Sequence, residues 1–525
     1  MTPAQSALRS RAKYVVVREH LLALIAQGLK PGAPMPSERE LCELFGVSRM
    51  TVRQAVDTLV VDGVLKRHQG KGTFVASPKV DLQLRLTSFT EEMRRRGMTP
   101  GAVFLIAATV PAAPVVAEAL EGYKESLRQR IASGPAIPAR QIERCAEQCE
   151  GAAGSASPFL HLVNKRPEVA ANADSARVAY GQLADFLRQT ALPTAVEEDA
   201  VGRERYSLFS RHFLGADIDL DETYEWGKAE LAGIVAEQER TARELYGPGV
   251  GVREAMERLD SDPKRKLSGV EALRSWMQET ADASIDAMSQ HFDIPEPLRT
   301  IECCLAPSGT GIIYYTPPTG DFSRPGRMWW SVPSGVTEFA TWQEKTTVYH
   351  EGVPGHHLQI GLTTYMRDSL NDWRRNGCWV SGHGEGWALY AEQLMAELGY
   401  MGELGDRMGV LDSMRLRTSR VVVDLGVHLR KDAGPWGEGA WDADSAWRFL
   451  RENVASDDAF LRFELNRYLG WPGQAPSYKI GQRIWTQLRE EARAKEGANF
   501  DLKAWHNRAL SIGSVGLDVL REALA

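Results

Sequence analysis

The chain has 525 residues, too many for one small domain and enough for several units of about 150 residues. Apolar residues make up 43% and charged residues 25%, a balance that excludes wholesale disorder. Net charge is −7 but uneven: residues 1–80 hold 12 Lys/Arg against 6 Asp/Glu, and the remainder holds 50 against 63. A basic head thus precedes an acidic body, and only the head is expected to meet nucleic acid. The six cysteines form no C-x-x-C pair, so neither a cysteine-rich zinc site nor a disulfide scaffold is suggested. Arg9, Arg11, Lys13 and Arg18 interrupt any signal core. The uncharged stretch 97–117 contains Pro100, Pro111 and Pro114 and reads poorly as a membrane helix. The expectation is a cytoplasmic protein with no membrane partner.

In chain order, YVVVREHLLALIAQG (14–28) reads as an amphipathic helix stopped by Pro31, Gly32 and Pro34. In PSERELCELFG, Ser37 is an N-cap with Glu40 at capping-box spacing, and Leu41, Leu44 and Phe45 mark the buried face. The turn GVSR leads into a helix capped by Ser48, with Val52, Val56, Leu59 and Val60 inward. Two helices across a short glycine-containing turn suggest a helix-turn-helix. VLKRHQGKGTFVAS then reads as two short strands around a glycine-rich tip, a wing.

The stretch LKPGAPMPSERELCELFGVSRMTVRQAVDTLVVDGVLKRHQGKGTFV resembles the winged-helix domain of GntR-family bacterial regulators. The resemblance implies DNA contacts by Arg39, Arg49, Arg53 and the wing tip Gln69, Gly70, Lys71 and Gly72. Guanidinium forks at a helix N-terminus can reach guanine edges or phosphate, and a glycine tip can enter the minor groove. It also implies a homodimer on palindromic operator DNA, because one winged helix reads a half-site. Next, DLQLRLTSFTEEMRRRGMTPG resembles the opening of the HutC-type (UTRA) sensor, but the later pocket-forming strands do not follow, so the sensor reads as a truncated stub.

From Gly122 the pattern is mostly helical, as in TYEWGKAELAGIVAEQERTARELYG and VEALRSWMQETADASIDAMSQHF. AAGSASPF (152–159) reads as a loop and GIIYYTPP (311–318) as a strand. Four of the eleven histidines lie between 350 and 383, in TVYHEGVPGHHLQIG and SGHGEGWALYAEQL. Two imidazoles, a carboxylate ligand and a second carboxylate to take a proton are what a zinc hydrolase needs. The common H-E-x-x-H puts both histidines on one helix face; here position i+4 is Pro354, which cannot continue the helix. On a straight helix His356 would lie about 240° round from His350, and His357 about 10 Å further along. A shared metal therefore requires V-P-G to fold the second histidine back. Comparison with gluzincins, whose second ligand commonly follows a glycine, selects His356 over His357.

HEGVPGHHLQ, GEGWALYAEQL, VVVDLGVH and RYLGWPGQAPSYKIGQRIW resemble the bacterial domain-of-unknown-function 885 family, regarded as zinc peptidases of largely helical fold. That resemblance covers roughly 122–525 and lacks the stretch that usually opens the family's domain. It implies His350, His356 and Glu385 as Zn2+ ligands and Glu351 as general base. His428, Tyr468 and Tyr478 are catalytic candidates for holding a developing oxyanion. Arg467 is a candidate for a substrate carboxylate, and Tyr314 and Tyr315 could flank a bound peptide.

The reading is mainly α: a winged helix-turn-helix over 8–77, a stub over 78–121 and a helical, gluzincin-like metallopeptidase body over 122–525. Its function would be a DNA-binding transcription regulator fused to a hydrolase that cleaves peptide bonds by zinc-activated water. The alternative is a regulator whose body only senses a peptide ligand or dimerises. The stub offers no bistable element, so DNA binding is expected to be indifferent to metal in the body.

Overall fold

The computed structural model describes residues 13–26, 33–61, 65–68, 72–75, 112–155, 157–306, 313–332 and 335–525. It divides into two compact units, 1–87 and 88–525. No helix among the described residues is long and apolar enough to cross a membrane.

The first unit holds α1 (Lys13–Ala26), α2 (Glu38–Phe45), α3 (Arg49–Val61) and the hairpin β1 (Leu65–His68) and β2 (Gly72–Val75). The expected capping box is present: Glu40 N–H donates to Ser37 Oγ at 3.3 Å, and Ser37 N–H donates to Glu40 Oε2 at 2.7 Å. Gly46 ends α2 in the left-handed region at φ 62°. Ser48 Oγ accepts from Thr51 N–H at 3.3 Å at the start of α3. Val17, Leu21, Leu41, Phe45, Val52, Val56 and Leu59 form one apolar core, each worth about 1.5–3 kcal/mol on burial. Leu44, expected inward, is exposed at 42%. Residues 33–35 lie against β2 through Met35 N–H to Thr73 O and Val75 N–H to Ala33 O, both 2.9 Å.

The second unit opens with α4 (Ala112–Ser133), α5 (Ala139–Ala153), α6 (Pro158–Lys165) and α7 (Ala170–Phe186). Helix α4 runs straight through the boundary placed at residue 121. The loop expected over 152–159 is shorter, because Ser157 caps α6 and Pro158 suits its first turn. Then come α8 (Arg203–Leu214), α9 (Leu220–Tyr246), α10 (Val252–Ser261), β3 (Lys266–Ser268) and α11 (Val270–Met288). Strands β4 (Ile301–Leu305), β5 (Ile313–Thr316) and β6 (Gly326–Trp330) form one sheet in the order β4-β6-β5. The β4–β6 pair is parallel and β5–β6 antiparallel. Of this sheet only β5 was legible from the sequence.

A short β7 (Glu338–Ala340), paired with β3, leads into α12 (Thr341–Glu351) and α13 (His356–Tyr365). The rest is helical: α14 (Ser381–Glu397), α15 (Leu404–His428), α16 (Ala443–Asn453), α17 (Asp458–Gly470), α18 (Ser477–Glu496), α19 (Leu502–Ser511) and α20 (Leu517–Leu524). Helices α14 and α18 cross with backbones nearly touching. A Cβ on Gly386 would meet the Gly481 carbonyl carbon at 2.5 Å, and one on Gly481 would meet Gly382 O at 2.1 Å. The glycines of S-G-H-G-E-G are thus a packing requirement, and they bring α14 beside the residues that follow Pro476. Trp387, Trp485, Trp505 and Tyr390 fill the core around this crossing.

Candidate metal centre

Helix α12 stops at Glu351, one residue after His350. The chain turns through Gly352–Gly355, with Gly355 N–H bonded to Tyr349 O and His357 N–H to Gly352 O, both at 3.1 Å. Only glycine fits at 355, where a Cβ would lie 1.9 Å from His350 O. Trp387 Nε1–H holds Pro354 O at 2.8 Å and fastens the turn to α14. A new helix begins at His356. The turn folds the second histidine back: the His350 and His356 rings stand 4.9 Å apart at 87°.

Glu385, from the first turn of α14, faces both rings. Its Oε2 is 3.4 Å from His350 Nε2 and 3.5 Å from His356 Nε2. Candidate ligand atoms of His350, Glu351 and His356 lie within 4.8 Å of one another, all three residues buried. Glu392 was not foreseen. It sits seven residues after Glu385, two turns along one helix face, and its Oε1 accepts from His350 Nδ1–H at 2.8 Å. Thr346 Oγ1 and Ser413 Oγ donate to the other oxygen of Glu392. His350 is therefore clamped with Nε2 presented forward, as metal-ligating histidines commonly are.

Burial alone would favour a neutral Glu385, but the two imidazoles hold its carboxyl far below the usual range. Burial would also lower His350, but Glu385 and Glu392 override it and raise the imidazole to about 10. Burial raises Glu351, with His356 and His350 opposing, and its Oε2 is a buried acceptor with no partner among the described residues. The donor set of two imidazoles, one carboxylate and a neighbouring carboxylate fits zinc.

His357 stands apart. Its Nε2–H donates to Leu298 O and its Nδ1 accepts from the Tyr315 hydroxyl, both at 2.9 Å, leaving no nitrogen for a metal. Burial lowers it to about 4. His383, two residues before Glu385, is buried against Trp485 and likewise lowered to about 4.

The centre opens into a cleft of about 510 Å³, lined in part by Tyr314, Tyr315, Arg467 and Tyr478. Two catalytic candidates need correction. His428 is wholly buried and outside this lining: its Nε2–H meets Tyr468 O at 3.1 Å, and its ring stacks on Tyr206. Burial lowers it to about 4, the signature of a core histidine. Tyr468 is also wholly buried, donating to Glu464 and accepting from Arg420 Nε at 3.2 Å, so it supports other side chains. Arg467 reaches the cleft with its fork engaged, by Glu464 at 3.1 and 2.9 Å and by Gln474. Tyr478 does line the cleft: burial and Glu385 keep its phenol protonated, and Arg420 lies 4.9 Å over its ring.

In the first unit Arg49 is exposed. Arg39 and Arg53 are also exposed, at 3.6 Å from Glu43 and 3.8 Å from Glu38 respectively. Such surface pairs cost little to exchange for phosphate. Gly72 opens β2 opposite His68, while Gln69, Gly70 and Lys71 lie outside the described residues.

Residues 106–524 match the family described as bacterial protein of unknown function, DUF885, and 13–75 match bacterial regulatory proteins of the gntR family. The chain belongs to the DUF885 family and carries a GntR-family helix-turn-helix domain ahead of that body. It is 56% identical over 90 residues to the transcriptional repressor NagR of Bacillus subtilis, covering 17% of this chain and 37% of NagR. Against the repressor PhnF of Mycolicibacterium smegmatis it is 38% identical over 108 residues, covering 21% of this chain and 43% of PhnF. The chain thus spans less than half the length of these relatives. A candidate lipoprotein of Colwellia psychrerythraea shares the fold at TM-score 0.66 and 24% identity, covering 78% of this chain and 73% of that one. A candidate lipoprotein of unknown function from Shewanella oneidensis does so at 0.59 and 15%, covering 98% and 88%.

Proposed function

We propose that the chain is a transcription regulator whose helix-turn-helix head binds operator DNA and whose body is a zinc-dependent hydrolase of peptide bonds. The observation that carries the hydrolase reading is the meeting of His350 Nε2 and His356 Nε2 at Glu385 Oε2, with Glu351 beside them and Glu392 behind. His350, His356 and Glu385 would hold the metal. A zinc ion supplies Lewis acidity, polarising a carbonyl and bringing water toward ionisation near neutral pH. Glu351 accepts the proton of the attacking water and returns it to the leaving amine, a role suited to a buried carboxylate with a free oxygen. The Tyr478 hydroxyl donates to the oxygen that gains charge. Glu392 keeps His350 in the tautomer with Nδ1 protonated and Nε2 free.

The head reads one half-site through Arg49 and Arg53, so the chain acts as a homodimer on a palindrome, in the cytoplasm where the DNA is. The head's likeness to repressors also favours a second reading, in which the body only senses a peptide or dimerises. Metal analysis and peptide turnover of wild type and Glu351→Gln separate the two. We expect about one zinc in each, and turnover reduced about 10²–10⁴-fold in the variant. Undiminished turnover removes Glu351 as base; zinc-free wild-type protein without turnover leaves the sensing reading.

A further inference from the structure

Three guanidiniums line the cleft, and they are not equivalent. Arg420 is bound to Glu464 at 3.1 and 2.8 Å, and Arg467 shares that carboxylate. Burial would raise Glu464, but these two arginines hold it at about 2, a fixed anion. Arg417, on α15, has no such close partner, although its charge acts on Glu351, Glu392 and Asp412. It makes no ion pair with any carboxylate among the described residues. Among the described residues its single hydrogen bond is a long one, 3.4 Å from Nη1 to Ser413 O, and its Nε is buried without a partner. It lines the same cleft as His350, Glu351 and Glu385. A half-buried guanidinium with open donors carries a desolvation cost that an incoming anion relieves.

The rim adds a second feature. Tyr314, Trp379, Phe460, Phe463 and Trp471 all line the cleft, yet each is 37–60% exposed. Large aromatics left in water around a charged centre offer area to apolar side chains. The volume, about 510 Å³, lies in the range of small-ligand sites.

We propose that Arg417 is the carboxylate-recognition residue of this cleft, and that its ligand is a short peptide with apolar side chains and a free C-terminal carboxylate. The proposal rests on the hydrolase reading for the peptide nature of the ligand. It moves carboxylate recognition from Arg467, whose fork is engaged, to Arg417, whose fork is open.

The test is calorimetric binding of Ala-Phe-Phe, as free acid and as C-terminal amide, to the full chain carrying Glu351→Gln, with zinc and with chelator. We expect the acid to bind at least tenfold tighter than the amide in both conditions. Arg417→Gln should abolish that preference and Arg417→Lys should restore part of it, with circular dichroism and melting unchanged. Equal binding of acid and amide overturns the proposal, as does a preference that survives Arg417→Gln. So does a preference lost with chelator, which would give the carboxylate to the metal, and so does no binding of either peptide. Absent turnover in wild type, with the acid preference and its Arg417 dependence intact, would sink the hydrolase reading and leave this assignment standing.

Discussion

The two units use polar side chains in opposite ways. In the head Arg39, Arg49 and Arg53 stand exposed on short helices whose cores are wholly apolar. In the body His350, Glu351, His356 and Glu392 are buried, and burial is overridden at His350 by Glu385 and Glu392 and at Glu392 by His350. A surface that meets a polyanion needs little preparation, since the partner brings the opposite charge and released counterions provide the driving force. A centre that gathers like-charged carboxylates must be assembled from several helices and braced from behind. The head should therefore lose function without losing stability, whereas a substitution among the buried groups that brace the candidate metal centre should cost both.

The largest effect expected is in the head. Arg49→Ala combined with Arg53→Ala should weaken binding to operator DNA upstream of the chain's own gene a hundredfold or more, at about 1–3 kcal/mol per base-reading arginine. The thermal midpoint should not move. Gel-shift titrations across a salt series check this, and unchanged affinity would remove both residues from the interface.

Second, Glu392→Gln should weaken zinc binding by about ten- to a hundredfold, because the amide can no longer hold His350 as a carboxylate does. Competition with a chromogenic chelator measures it. Unaltered affinity would reduce Glu392 to a core residue and blur the contrast with the head.

The third prediction concerns pH. Burial raises Asp424 to about 7, although Tyr206 O–H and Gly473 N–H both donate to its Oδ1. Its folded value lies above the unfolded one, near 4. The folded body therefore keeps a proton that the unfolded chain releases, and its stability falls as pH rises from about 4 to about 7, by up to about 1.4 kcal/mol per unit. Asp424→Asn should flatten the body's melting profile over that window. The head's transition should not share the slope, since Ser37 holds the exposed Glu40 carboxyl there below its usual value. Calorimetry from pH 4.5 to 7.5 tests both points.

The smallest effect is the coupling between units. Operator affinity should change less than tenfold, about 1.4 kcal/mol, among zinc, chelator and a peptide mixture at fixed salt. A larger change would make the body a sensor that drives the head.

The sequence by itself determined the head almost completely, because its signals are local: Ser37 with Glu40, Gly46, Ser48 and the apolar spacing of Val52, Val56 and Leu59 all act within one or two turns. Most groups of the candidate metal centre, though not Glu392, could be named from H-E-G-V-P-G-H-H and G-E-G, since few chemistries need those groups so near. Geometry was not. Whether His356 or His357 faces His350 depends on the turn at Gly355, where His350 O leaves no room for a side chain, and on the remote Leu298 carbonyl that takes His357. The casting of His428 and Tyr468 as cleft-facing groups failed for the same reason, and Arg467 reaches the cleft already bound to Glu464 and Gln474. Motif spacing cannot tell a side chain that faces a cleft from one whose donors are already bound by Glu464 or a backbone carbonyl. Arg417 shows the converse: nothing in R-L-R-T-S-R distinguishes it from its neighbours. Only packing across sequence separations of tens to hundreds of residues left its donors open at the cleft wall, because pairing of buried charges is decided by which helices meet.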